Sequence, residues 1–88
     1  MAVSDTRERL ERLVVARSRL QLSRVGDDER LNYELGYDSS ALLQLLLDAE
    51  DAFGIEVPPE RVPELVGAPF SRLVALIEAA RSRAGETA

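Results

Sequence analysis

The sequence predicts an all-α fold, a small antiparallel bundle of three main helices plus one short helix, with a long first loop. Three observations carry that expectation. Apolar residues recur at three- and four-residue intervals in three stretches, and no stretch reads convincingly as a strand. Breaks at Gly26, Gly54, Pro58-Pro59 and Gly67-Ala68-Pro69 separate those stretches. The chain has 88 residues, 45% of them apolar, which suits one packed core and argues against disorder throughout. One domain is expected over residues 1–88, with a structured core of about residues 5–83.

In the first stretch Asp5 can cap a helix while Glu8 reaches back, as in a capping box. Leu10, Leu13 and Val14 share one face beyond it. The pattern weakens at Ser18 to Leu20, and Gly26-Asp27-Asp28 marks a turn. A connection of roughly 20 residues is long for so small a domain and should be packed or functional. Leu20, Leu22, Val25, Leu31 and Leu35 are its expected fastenings.

The second helix is the clearest element, from Ser39 to about Phe53, with Asp38 as N-cap and Gly54 as the stop. Leu42, Leu45, Leu46, Ala49 and Phe53 form its buried stripe. Leu43 and Leu47 make a second apolar pair turned away from the first, which predicts partial exposure toward a partner. After Gly54, the run Ile55-Glu56-Val57-Pro58-Pro59 must leave the helix, because the prolines hold their predecessors extended. A short turn from Pro59, made irregular by Pro63, should place Val62, Leu65 and Val66 against the core. Pro69 then fits the first turn of a last helix running to about Arg83. Phe70, Leu73, Ile77 and Ala80 should face inward, with Arg81 and Arg83 near the negative end of the dipole and Gly85 to Ala88 frayed.

Composition removes several kinds of chemistry. There is no cysteine and no histidine, which excludes a disulfide framework, a thiolate metal site and a Ser-His-Asp triad. No apolar run reaches membrane-spanning length, and Met1 to Asp5 lack a basic-then-apolar leader pattern, so a cytoplasmic protein without a membrane partner is expected. The net charge of −5 is unevenly spread. Residues 1–25 hold six arginines against three acids, a balance of +3, and residues 26–60 hold one arginine against ten acids, a balance of −9. An acidic middle favours basic protein partners over nucleic acid, although it also fits a merely solvated surface.

Asp38-Ser39-Ser40 at a helix start reads, taken alone, as a cap, because such side chains accept hydrogen bonds from free backbone N–H groups. A serine there also points outward, and an anion attached to it would sit at the positive end of the helix dipole. Without histidine, Ser39 has no base to make it a nucleophile by itself, so a hydrolase reading is poor.

Leu35-Gly36-Tyr37-Asp38-Ser39, then a leucine-rich helix, then Phe53-Gly54-Ile55-Glu56-Val57-Pro58, resembles the acyl carrier protein family over about residues 5–83. The resemblance implies a non-catalytic carrier with a covalent 4'-phosphopantetheine arm on Ser39, added by a phosphopantetheinyl transferase that also reads Asp38. The arm would present acyl groups as thioesters to a ketosynthase, an acyltransferase or other acyl-handling enzymes. Ser40, Leu43, Gln44, Leu47, Glu50 and Asp51 would form the docking side, on a protein expected to be a monomer. Gly36-Tyr37-Asp38-Ser39 with Ala41-Leu42-Leu43 looks more like stand-alone polyketide carriers than fatty-acid ones, and Asp38 disfavours peptidyl carriers, which usually show His there. Ser40 stands where a large apolar residue is usual and Gln44 where an acid is common, so both bear on partner identity. A discrete peptidyl carrier and an unmodified helical scaffold or regulator are the rival readings.

Overall fold

The first helix, α1, spans Asp5–Arg17 in the computed structural model, which describes residues 5–87 and side chains as far as Arg83. Asp5 is already helical, so it does not act as the cap expected of it. Its carboxylate instead lies 3.5 Å from Arg9 Nη1 and 3.4 Å from Arg81 Nη1. Leu10 and Val14 are buried, and Leu13 packs against them from the side.

The second helix, α2, is Ser39–Phe53. Its stripe of Leu42, Leu45, Leu46 and Ala49 is buried, while Phe53 is only half-buried, its ring lying under the Arg9 and Arg81 guanidiniums. Gly54 ends the helix at φ 64°, a left-handed conformation that glycine adopts without a Cβ penalty. A 3-10 helix, Pro59–Leu65, follows and contains Pro63. Leu65 is buried and Val62 packs at the core edge, but Val66 is 54% exposed, because the helix stops at Leu65 and the chain turns outward.

The last helix, α3, is Phe70–Thr87, longer than the sequence indicates. Phe70, Leu73, Ile77 and Ala80 face the core as expected. Helix continues through Gly85 and Thr87 where fraying was expected, and Ala88 lies outside the described residues, as do Met1 to Ser4. Arg81 therefore sits well before the C-terminus of α3, and it bonds Thr6 Oγ1 at 2.8 Å instead of helix-end carbonyls.

Helix α1 packs on both α2 and α3, and the 3-10 helix packs on α2. The long connection, residues 18–38, is ordered by backbone bonds to α3: Phe70 N–H donates to Glu29 O at 2.7 Å and Ser71 N–H to Asp27 O at 3.0 Å. These carbonyls satisfy N–H groups that the start of α3 would otherwise leave unpaired. Val25, Leu31 and Leu35 are buried and Leu22 partly so, but Leu20 is 43% exposed. Among the described residues the only extended pairing is an isolated bridge between Arg30 and Pro69. The Val25 N–H donates to Glu11 Oε2 at 2.7 Å and, with Arg7, holds that carboxyl below its usual range. A lowered folded-state pKa stabilises above the unfolded value, so this anchorage is lost as pH falls through the carboxylate range.

Candidate functional site

The site is the start of α2 and the loop that leads into it. Asp38 is extended, at φ −88° and ψ −178°, and its Oδ1 accepts from the Ala41 N–H at 2.8 Å. Its carbonyl accepts the first helical bond, from Leu42 N–H at 2.8 Å. Both capping interactions expected of Asp38 are therefore present. Ser39 is the first residue of α2 and is exposed, as is Ser40. Among the described residues, no side-chain hydrogen bond engages the Ser39 hydroxyl. It stands at the first turn, whose N–H groups have no partners within the helix.

The loop ahead of Ser39 is held in place by other groups. Gly36 takes φ 75°, and a Cβ there would stand 2.8 Å from Leu20 Cγ. Leu20 thus lies over Gly36, which explains its failure to reach the core. Tyr37 is buried at 1% exposure, and its hydroxyl donates to Val14 O at 2.7 Å. Burial pushes the phenol above its usual range, so it remains a neutral donor. Arg19 Nη2 lies 3.3 Å from Asp38 Oδ2, in an exposed pair.

The outer side of α2 runs away from Ser39. Leu43 and Leu47 are 46% and 49% exposed, against complete burial of Leu42. Gln44 is exposed and donates to Asp48 Oδ1 at 3.1 Å, while the other Asp48 oxygen lies 3.1 Å from Arg17 Nε. Asp51 is exposed. Glu50 is half-buried and lines the same side as Leu43 and Leu47, and its Oε2 accepts from the Val57 N–H at 2.6 Å. Its carboxylate ties the segment after α2 back to the helix. Leu43, Leu46 and Leu47 form one wall of a groove, and Val57, Pro58, Pro59 and Val62 the other.

Sequence reasoning missed Tyr37 and Ser18. Both act across the long loop, by contacts 23 and 17 residues apart, which helical spacing cannot register. The one available signal was an aromatic residue set between two turn-forming residues.

The arrangement fits a covalent phosphodiester arm: an exposed hydroxyl, no competing side-chain bond among the described residues, and a helix N-terminus to receive the anion. Nothing among the described residues groups His, Cys, Asp or Glu as a metal site, and no helix there is long and apolar enough to cross a membrane.

A model of the phosphopantetheine attachment site family matches residues 8–65. The acyl carrier protein of Zymomonas mobilis is 30% identical over 63 residues, covering 72% of this chain and 81% of that protein. The match runs through the exposed serine, the cap before it and the leucine-rich helix behind it. Together these place the chain in the acyl carrier protein family, as a non-catalytic acyl carrier with covalently attached 4'-phosphopantetheine that serves a phosphopantetheinyl transferase and acyl-handling enzymes.

Proposed function

We propose that Ser39 is the attachment residue and that the chain carries polyketide intermediates in the cytoplasm, within one carrier domain. The observation that carries the site is the exposed Ser39 hydroxyl at the start of α2, directly after the Asp38 cap. Ser40 is also exposed, but it stands one step, about 100°, further round the helix. When bound, the arm supplies a terminal thiol that holds acyl groups as thioesters.

The chain's own residues supply position. Asp38 fixes the first turn of α2 and thereby the direction of Ser39. With no histidine in the chain, the base that accepts the Ser39 proton belongs to the transferase. Tethering the acyl group raises its effective concentration at each partner's active site, so delivery is the chain's contribution.

The polyketide assignment is supported by the likeness of Gly36-Tyr37-Asp38-Ser39 and Ala41-Leu42-Leu43 to stand-alone polyketide carriers. Docking is assigned to Ser40, Leu43, Gln44, Leu47 and Asp51, which lie along the exposed side of α2 behind Ser39. Glu50, which lines the groove with Leu43 and Leu47, joins them in this assignment while also bonding the Val57 N–H.

Loading the purified chain with malonyl and with aminoacyl groups, by enzymes of each class, tests the cargo. Malonyl transfer by a polyketide acyltransferase, with no aminoacyl loading, is expected. Preferential aminoacyl loading would replace this reading with a peptidyl carrier.

A further inference from the structure

The loop ahead of Ser39 is held by backbone bonds of its own, Tyr37 N–H to Leu31 O at 2.7 Å and Leu35 N–H to Arg30 O at 3.2 Å, and by a set of contacts from the end of α1. Leu35 O accepts from Ser18 Oγ at 2.7 Å. Gly36 lies under Leu20. Tyr37 Oη donates to Val14 O at 2.7 Å, and Asp38 Oδ2 meets Arg19 at 3.3 Å. Each residue from 35 to 38 thus meets a residue of 14–20, the end of α1 and the turn after it.

Two of these contacts are built to last. Val14 O is among the last carbonyls of α1 and also accepts from Ser18 N–H at 2.9 Å, so Tyr37 uses the remaining capacity of a group at the negative end of the helix. Ser18 Oγ accepts from Leu20 N–H at 3.0 Å while donating to Leu35, which locks both strands of the contact through one atom. The Arg19–Asp38 pair is 72% and 60% exposed and adds little. Core packing requires the Tyr37 ring but not its hydroxyl, since phenylalanine has the same ring. Each of the two hydroxyls instead bonds a backbone carbonyl, Tyr37 that of Val14 and Ser18 that of Leu35, and so acts on the position of the loop.

We propose that Ser18 and Tyr37 are positioning residues for modification of Ser39, holding residues 35–38 so that the Ser39 hydroxyl is presented in one arrangement. The inference rests on the assignment of Ser39 made above. A loop released from this brace samples other arrangements, and the transferase then captures only the competent fraction. Apparent affinity falls by that fraction, whereas turnover of the captured complex does not. The defect belongs in KM.

Tyr37→Phe and Ser18→Ala, incubated with coenzyme A and a broad-specificity phosphopantetheinyl transferase, test this by intact mass and by amide exchange on the apo protein. Both variants should gain the full mass. Their kcat/KM should fall, by at most about tenfold, the scale of one neutral hydrogen bond, almost entirely through KM. Amide exchange over residues 36–41 should quicken while that of α3 stays unchanged. Ser18→Thr, which keeps the hydroxyl, should restore KM. Ile77→Val, a mild core truncation in α3, should leave KM alone. Unchanged KM and unchanged loop exchange in both variants would overturn the inference, as would an equal KM rise in Ile77→Val. No mass gain in the unaltered chain would instead remove the Ser39 assignment, and this inference with it.

Discussion

The two faces of α2 are built from the same residue and do opposite work. Leu42, Leu45 and Leu46 are at most 3% exposed, whereas Leu43 and Leu47, one position away, are 46% and 49% exposed. A helix turns about 100° per residue, so one step in sequence exchanges core for surface. The inner leucines close the core with Leu10, Val14, Phe70 and Ile77. The outer pair lines a groove with Val57, Pro58 and Val62, into which Glu50 and Glu56 also face. Composition cannot separate the two sets. Phase does, and it leaves the outer pair with exposed apolar surface.

The largest effect expected is on the inner face. Leu45→Ala removes a side chain that is 1% exposed and should cost ~2–5 kcal/mol by chemical denaturation, much of a small domain's stability. Leu47→Ala should stay within about 0.5 kcal/mol of the unaltered protein yet slow phosphopantetheinyl transfer or acyl loading at every salt concentration. A shared loss of stability, with partner rates intact, would place Leu47 in the core and end the distinction.

The acids of α2 differ as its leucines do, Glu50 half-buried and Asp51 exposed. Glu50→Ala should lose about 1 kcal/mol and expose the Val57 amide to exchange, because its carboxylate accepts that N–H at 2.6 Å. Asp51→Lys should leave stability nearly unchanged and reduce partner encounter rates a few-fold at low salt, the difference fading near 0.15 M, where the Debye length is about 8 Å. Equal salt responses from the two variants would show that the half-buried and exposed carboxylates are not distinct in function.

Helix α2 was legible in the sequence because local signals agree. The Asp38 cap, the Gly54 stop and the spacing from Leu42 to Ala49 all name the same boundaries and the same buried face. The site was legible as far as its exposed serine and cap. What holds that serine was not, because the Tyr37 hydroxyl meets Val14 across 23 residues of chain. Leu20 misled for a related reason: it reads as a core residue, but its partner is a glycine with no side chain to signal contact. Val66 was misplaced because the 3-10 helix ends just before it, and the bond from Val57 to Glu50 was hidden because that backbone partner lies beyond the helix stop. In each case the deciding contact lies outside the element whose spacing was read.

Ser39, at the start of α2, is the proposed attachment point. Intact-mass measurement of the chain and of Ser39→Ala, each incubated with coenzyme A and a broad-specificity transferase, tests it most directly. One phosphopantetheinyl group should appear on the unaltered chain and none on the variant, whose helical circular dichroism should be nearly unchanged because Asp38 keeps the cap. Modification that persists in Ser39→Ala, or its failure on a well-folded unaltered chain, would contradict the account.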